Sequence, residues 1–269
     1  SKPVSYNWKS FPSVIDALDS LEQDNEEKDA ALRFPLQDVY KFDDRRILAG
    51  RLESGELKKG DKIIFSPSNK SSYVKSIESW GDVKEKEVAI KGESIGITLE
   101  DQLFLERGEV ASHIVQGKMP IETNIFKARI FFLGSSPMLI GSSYLMECGT
   151  LSVKIYIQDI ISVVSTNDLT HKKSKTILKN QVAEIVIRTD KIIAVDEFLN
   201  IPATGRFILI DGYRIVSGGL INMDGYADQR GMESTRFTNI SRVEHRVTIE
   251  ERAFRNKHKG AIFWLTGLS

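Results

Sequence analysis

The chain has 269 residues, 37 Lys and Arg against 37 Asp and Glu, four His and one Cys. A lone cysteine, Cys148, excludes an internal disulfide scaffold, and no apolar run approaches the ~20 residues that cross a bilayer. Zero net charge argues against a nucleic-acid binder that works by overall basicity, and the length predicts about two domains in a soluble, cytoplasmic chain.

Residues 1–29 form the first segment. Ser13 and Asp16 fit the S-x-x-[DE] capping pattern, and Val14, Ala17, Leu18 and Leu21 fall on one apolar stripe. The spacing predicts a helix of about ten residues, too short to be stable alone in water and so expected to pack on a neighbouring unit. EQDNEEKD (22–29) has no apolar residue and reads as a solvated linker. Through Asp29 there are three basic residues against seven acidic.

Residues 30–117 read as strands. LRFPLQDVY, RRILAGRLESG, DKIIFSPS, SYVKSIESW and GESIGITLE are short β-branched runs separated by Ser54-Gly55, Lys59-Gly60-Asp61 and Ser68-Asn69-Lys70, which suit tight reversals. Short strands at this spacing, with no helical pattern between them, predict a closed barrel or a sandwich. Gly117-Lys118-Met119-Pro120 then marks a domain boundary.

Residues 118–222 read as a second all-β unit. In LSVKIYIQ, Leu151, Val153, Ile155 and Ile157 alternate with Ser152, Lys154, Tyr156 and Gln158, which predicts one face in and one face out. VAEIVIR repeats this, with Ala183, Ile185 and Ile187 inward and Glu184 and Arg188 outward. RFILI (206–210) is continuously apolar, as in a strand covered on both faces. Residues 223–259 form a polar linker, with eight basic residues against four acidic from Arg230 to Lys259. Residues 260–269, GAIFWLTGLS, begin as a buried-type strand with no neighbour, whose Ile262, Phe263 and Trp264 are expected to pack on a barrel, to pair with a sheet edge or to be disordered.

Few residues carry chemistry. His113, His171, His245 and His258 are scattered, with no second metal ligand at a useful spacing, so no metal site is expected. Cys148 reads as a small buried hydrophobe rather than a nucleophile. Asp43-Asp44 and Glu250-Glu251 read as solvated pairs, and the basic clusters 171–175 and 255–259 as solvated surface. An apolar strand followed by Gly267 is how a phosphate-binding loop begins, but the Lys and Ser/Thr that hold phosphate are not present after it. No catalytic residue is therefore assigned. Gly267 is kept as the first glycine of an incomplete, non-functional phosphate loop.

RILAGRLESGELKKGDKIIFSPSNKSSYVKSIESW (46–80) resembles the second, β-barrel domain of translation-factor-type GTPases. GESIGITLEDQLFLERGEVASH (92–113) resembles the large, GTPase subunit of bacterial sulfate adenylyltransferase (ATP sulfurylase), including the form fused to adenylylsulfate kinase. FKARIFFLG (126–134), 180–198 and 204–221 are similar to that family's third domain. YNWKSFPSVIDALDSLE (6–22) resembles the helix leaving the GTPase domain, and 244–269 resembles the start of the fused kinase.

The resemblance implies an all-β fold of two consecutive translation-factor-type barrels, with a short N-terminal helix and an irregular C-terminal tail ending in an orphan strand. It implies that 1–29 leaves a GTPase domain and that 260–269 opens a truncated kinase domain. The parent would make adenylylsulfate from ATP and sulfate with GTP hydrolysis and phosphorylate it at the 3′ position, using GTP, ATP and Mg. None of these cofactors is expected to bind residues 1–269. The implied partners are the chain's own GTPase domain and the small adenylyltransferase subunit, with no membrane and no nucleic acid. The alternative is a translation-type barrel module that binds RNA.

Overall fold

Strand-forming runs joined by turns make up nearly all of the computed structural model, which describes residues 13–20, 30–42, 45–78, 86–165, 171–230 and 254–258. The helix α1 spans Val14–Asp19, six residues rather than about ten. Leu18 of its predicted stripe and the nearby Ile15 are exposed.

The first barrel is built from β1 (Phe34–Phe42), β2 (Arg45–Arg51), β3 (Glu56–Lys58), β4 (Lys62–Ser66), β5 (Lys70–Glu78), β6 (Val88–Ile90), β7 (Ser94–Leu99) and β8 (Val110–His113). It closes in the order β1-β2-β7-β5-β4-β8, with Phe34 opposite Ala111 completing the ring. Alternation places Phe34, Leu36, Leu48, Ile63, Phe65, Val74 and Ile97 in the core. The separate pair β3–β6 adds Leu57 and Ala89 to that core. The predicted reversals take left-handed backbone at Gly55 (φ +73°), Gly60 (φ +88°) and Asn69 (φ +57°), a region that Gly enters freely and Asn tolerates.

The second barrel comprises β9 (Ile121–Phe132), β10 (Met138–Leu139), β11 (Ser143–Cys148), β12 (Leu151–Ser165), β13 (His171–Lys172), β14 (Thr176–Ile177), β15 (Gln181–Val195), β16 (Arg206–Asp211) and β17 (Arg214–Asn222). Its sheet runs β11-β16-β17-β9-β15-β12-β13, and pairing of β11 with β12 closes six of these strands into a ring. Leu151, Val153, Ile155 and Ile157 are buried while Ser152, Lys154, Tyr156 and Gln158 are exposed, as the alternation predicts. RFILI departs from its reading. Phe207 and Leu209 are buried, but Ile208 and Ile210 are only half-buried, because this barrel's outer face is not covered by a second layer.

The all-β, two-barrel architecture is thus the one expected. Both barrels belong to one compact unit that ends at Arg230, and residues 231–269 form a second. Of that second unit only 254–258 are described, with a helical turn at 254–256. The expected strand 260–269, Gly267, Asp43-Asp44, His245 and Glu250-Glu251 lie outside the described residues. No helix among the described residues is long and apolar enough to cross a membrane.

Candidate docking cleft between the barrels

Two arginines, Arg33 buried and Arg230 partly so, fasten the barrels to each other. Arg33, just before β1, donates from Nε to Asp196 Oδ2 (2.8 Å) and from Nη2 to Oδ1 (2.7 Å). Its Nη1 reaches the carbonyls of Leu32 and Lys118, both at 2.8 Å. Asp196 follows β15 in the second barrel and also accepts from Thr204 Oγ1 at 2.5 Å. This planar two-bond geometry is the strong form of a charge-assisted contact.

The second fastening is Arg230. Its Nη2 donates to the Pro120 carbonyl (2.6 Å) and Ser66 Oγ (3.1 Å), and its Nη1 donates to Asn69 Oδ1 (2.8 Å). Nη1 also lies 2.8 Å from Oε1 of Glu122. That oxygen takes no directed hydrogen bond, so the ion pair is what compensates it, while Oε2 accepts from Asn69 Nδ2 at 3.0 Å. Burial pushes the Glu122 carboxyl above the usual carboxylate range, opposed by Asn69 and Arg230. Lys118 and Pro120 lie in the short link between the barrels, so each arginine caps one of its carbonyls. The tract that the sequence marks as a boundary is pinned at two points.

Beside this seam lies a cleft of about 980 Å³. Its floor is the outer face of β16, β17, β9 and β15, and its wall comes from Pro35, Gln37, Arg51 and Glu53 of the first barrel. The strand register orders the floor. Arg206, Leu220 and Arg129 stand in one row across β16, β17 and β9. Ile208, Gly218, Phe131 and Val182 form the row two residues along. Phe131, Leu133 and Leu220 are each about 40% exposed, and Gly218 leaves a bay in which an added Cβ would meet nothing within 4 Å. Among the described residues, Arg51, Arg129 and Arg206 make no side-chain hydrogen bond or ion pair, and neither do Glu53 and Glu147.

Unpaired guanidiniums around a partly exposed aromatic and aliphatic floor have the composition of a protein-docking surface. The arrangement offers binding energy and orientation. It brings together no nucleophile and base. Sequence reading missed the seam and the cleft, although a signal was present for the seam: Arg33 interrupts the apolar run Ala30–Leu36, and Asp196 follows Ile192–Val195.

The residues considered for chemistry stay apart. Cys148 is buried, donates weakly from Sγ to the Thr204 carbonyl (3.4 Å), and has its thiol pushed up to about 12 by burial and by the charge of Asp196. His113 Nε2 lies 3.0 Å from Asp61 Oδ2, a carboxylate that also accepts the Lys58 amide. His171 is in β13 and His258 lies in the second unit. No group of three His, Cys, Asp or Glu side chains among the described residues could hold a metal.

The class defined by these features is a pair of translation-factor-type barrels with an open cleft beside a fastened seam. Residues 125–222 match the family of GTP-eEF1A C-terminal domain-like proteins. The crystal structure of sup35 complexed with GDP shares the fold at a TM-score of 0.69 and 22% identity, over 80% of this chain and 53% of that one.

The similarity to curated proteins is more particular. The bifunctional enzyme NodQ of Rhizobium sp. (strain N33) is 30% identical over 100% of this chain and 40% of its own length. Sulfate adenylyltransferase subunit 1 of Bacteroides fragilis (strain YCH46) is 31% identical over 76% of this chain and 42% of its own. Elongation factor 1-alpha of Metallosphaera sedula is 31% identical over 80% of this chain and 50% of its own. The chain therefore spans 40 to 50% of the length of these relatives.

Proposed function

We propose that this chain is the non-catalytic barrel pair of a sulfate-activating enzyme, a rigid coupling element between a GTPase domain and the small adenylyltransferase subunit. The cleft receives the GTPase domain, whose carboxylates meet Arg51, Arg129 and Arg206 while an apolar side chain enters the bay over Gly218. The parent makes adenylylsulfate from ATP and sulfate with GTP hydrolysis, and a fused kinase phosphorylates the product at the 3′ position. Barrels fastened at two points move together, so nucleotide-dependent movement of the docked domain reaches the partner subunit as a change of orientation.

The observation that carries this reading is the row of unpaired arginines over an apolar floor, fixed in place by the seam. The similarity to NodQ and to sulfate adenylyltransferase subunit 1 supports the sulfate-activating reading. The test is a pull-down of the small adenylyltransferase subunit by this chain, together with calorimetric titration of the chain with GTP. Capture of the subunit without GTP binding is expected. Micromolar GTP binding, or adenylylsulfate synthesis by the chain itself, would overturn the reading.

A second reading rests on the similarity to elongation factor 1-alpha and on one surface of the second barrel. Lys154 Nζ stands 5.2 Å from the Tyr156 ring, and Arg188 is opposite Tyr156 on β15. A cation and an aromatic side by side can hold RNA. A salt-dependent gel shift with tRNA that is lost in Arg188→Glu would favour it.

A further inference from the structure

We infer that residues 226–230 are a strap that closes the barrel seam from its C-terminal side, with Arg230 as the latch, so that the chain following Arg230 and the tightness of the seam are coupled. After β17 the chain turns at Gly225 (φ +82°) and comes back along the start of β9. There the Glu122 amide donates to Asp228 Oδ1 (3.1 Å), and the Gln229 amide donates to the Glu122 carbonyl (2.7 Å). The Gln229 side chain closes a ring on Asn124, accepting from its amide (3.2 Å) and donating to Asn124 Oδ1 (3.1 Å). Residues 228–229 are thus held against the start of β9.

Arg230 then crosses to the first barrel. Its guanidinium reaches Ser66 and Asn69 at the β4–β5 turn, the Pro120 carbonyl of the link, and Glu122 of the second barrel. One side chain therefore holds both barrels and the segment between them. It is also the last residue of the compact unit, and the chain continues at Gly231 into the second.

The side chains are unequally placed. Glu122 is 3% exposed and Arg230 is 19% exposed, so the cation can leave for water while the anion cannot. Departure of Arg230 leaves a buried carboxylate without a cation, supported only by the neutral Asn69 and Ser66, which makes the latched state strongly preferred but releasable from one side only. Whatever draws on the chain beyond Arg230 acts first on this contact. By linkage, whatever opens the β4–β5 turn away from Glu122 loosens the strap in return.

The test is amide hydrogen exchange on the whole chain. Asn69, Lys118, Glu122 and Gln229 report the seam, since each of these amides has a defined acceptor, and Ile97 and Ile185 report the two cores. In Arg230→Gln, exchange is expected to rise by about tenfold or more at all four seam amides, with the core amides within about twofold of wild type. Arg230→Lys keeps the charge but cannot reach every acceptor at once, and is expected to fall between the two. Asn69→Ala is expected to speed exchange at Gln229. An Arg230→Gln effect confined to Gln229 and Glu122, with Asn69 and Lys118 unchanged, would overturn the inference. So would an unchanged Gln229 in Asn69→Ala. Should Arg230→Gln fail to fold, Arg230→Lys reads the same amides with the same two outcomes.

Discussion

Arg33 and Asp196 stand 163 residues apart and meet in a two-bond ion pair at 2.7 and 2.8 Å, with side chains only 2% and 7% exposed. One belongs to the first barrel and the other to the second, so this pair is a statement about how the barrels are joined. Removing one partner of a buried pair strands the other charge and costs about 3–5 kcal/mol. Arg33→Ala and Asp196→Ala should each lower stability by that order, read as a drop in the urea midpoint. The double substitution Arg33→Met with Asp196→Leu should recover most of the loss, because neither charge is then left buried. Equal losses in the single and double variants would mean that packing, and not the charge pair, governs the site.

Glu122 gives the seam a pH dependence. Its folded-state carboxyl is raised above the ordinary 4.5 by burial, with Asn69, Arg230 and Ser66 opposing and Asp228 adding to the rise. Between 4.5 and that raised value the folded state keeps a proton that the unfolded state has lost. Stability contributed here is full below the window and declines as pH rises through it. Glu122→Gln should flatten this part of the profile of urea midpoint against pH. A profile with the same slope in the variant would assign the decline to another group.

The Cys148 thiol, pushed up to about 12 and buried, should be inert in the folded protein. Iodoacetamide at neutral pH should leave it unmodified, and urea should make it react fully. Labelling of the folded chain at the rate of a free thiol would show that β11 opens readily.

Neighbouring glycines of β17 should respond in opposite ways. A Cβ on Gly219 would lie 2.3 Å from Cζ of the buried Phe207 ring, whereas one on Gly218 meets nothing within 4 Å. Gly219→Ala should cost about 1–3 kcal/mol through overpacking, while Gly218→Ala should leave the thermal midpoint unchanged or raised. The reverse order would place the wrong face of β17 toward the core.

The barrels were legible because their signals are local. Alternation in Leu151–Gln158 and Gln181–Arg188, and turns at Gly55, Gly60 and Asn69, each occupy a few adjacent residues. The seam was not legible, since Arg33 and Asp196, or Ser66 and Arg230, become neighbours only after both barrels close. A lone charge inside an apolar run points to a buried partner without naming it. The cleft was hidden for a related reason. Arg129, Leu220 and Arg206 come from three strands, and only the register of β9, β17 and β16 makes them a row. The half-exposure of Ile208 and Ile210 in RFILI has the same origin: one continuous apolar run covers both the core face and the outer face of β16.

The proposed docking role of the cleft is tested most directly by filling its bay without disturbing the barrel. Gly218→Trp places a large side chain on the floor beside Phe131 and Leu220, at a position where the backbone accepts a Cβ. Calorimetric titration of the chain with the separately produced GTPase domain of the parent enzyme should show saturable one-to-one binding. That binding should be lost in Gly218→Trp, whose urea midpoint stays at the wild-type value. Equal binding by the filled variant would contradict the account.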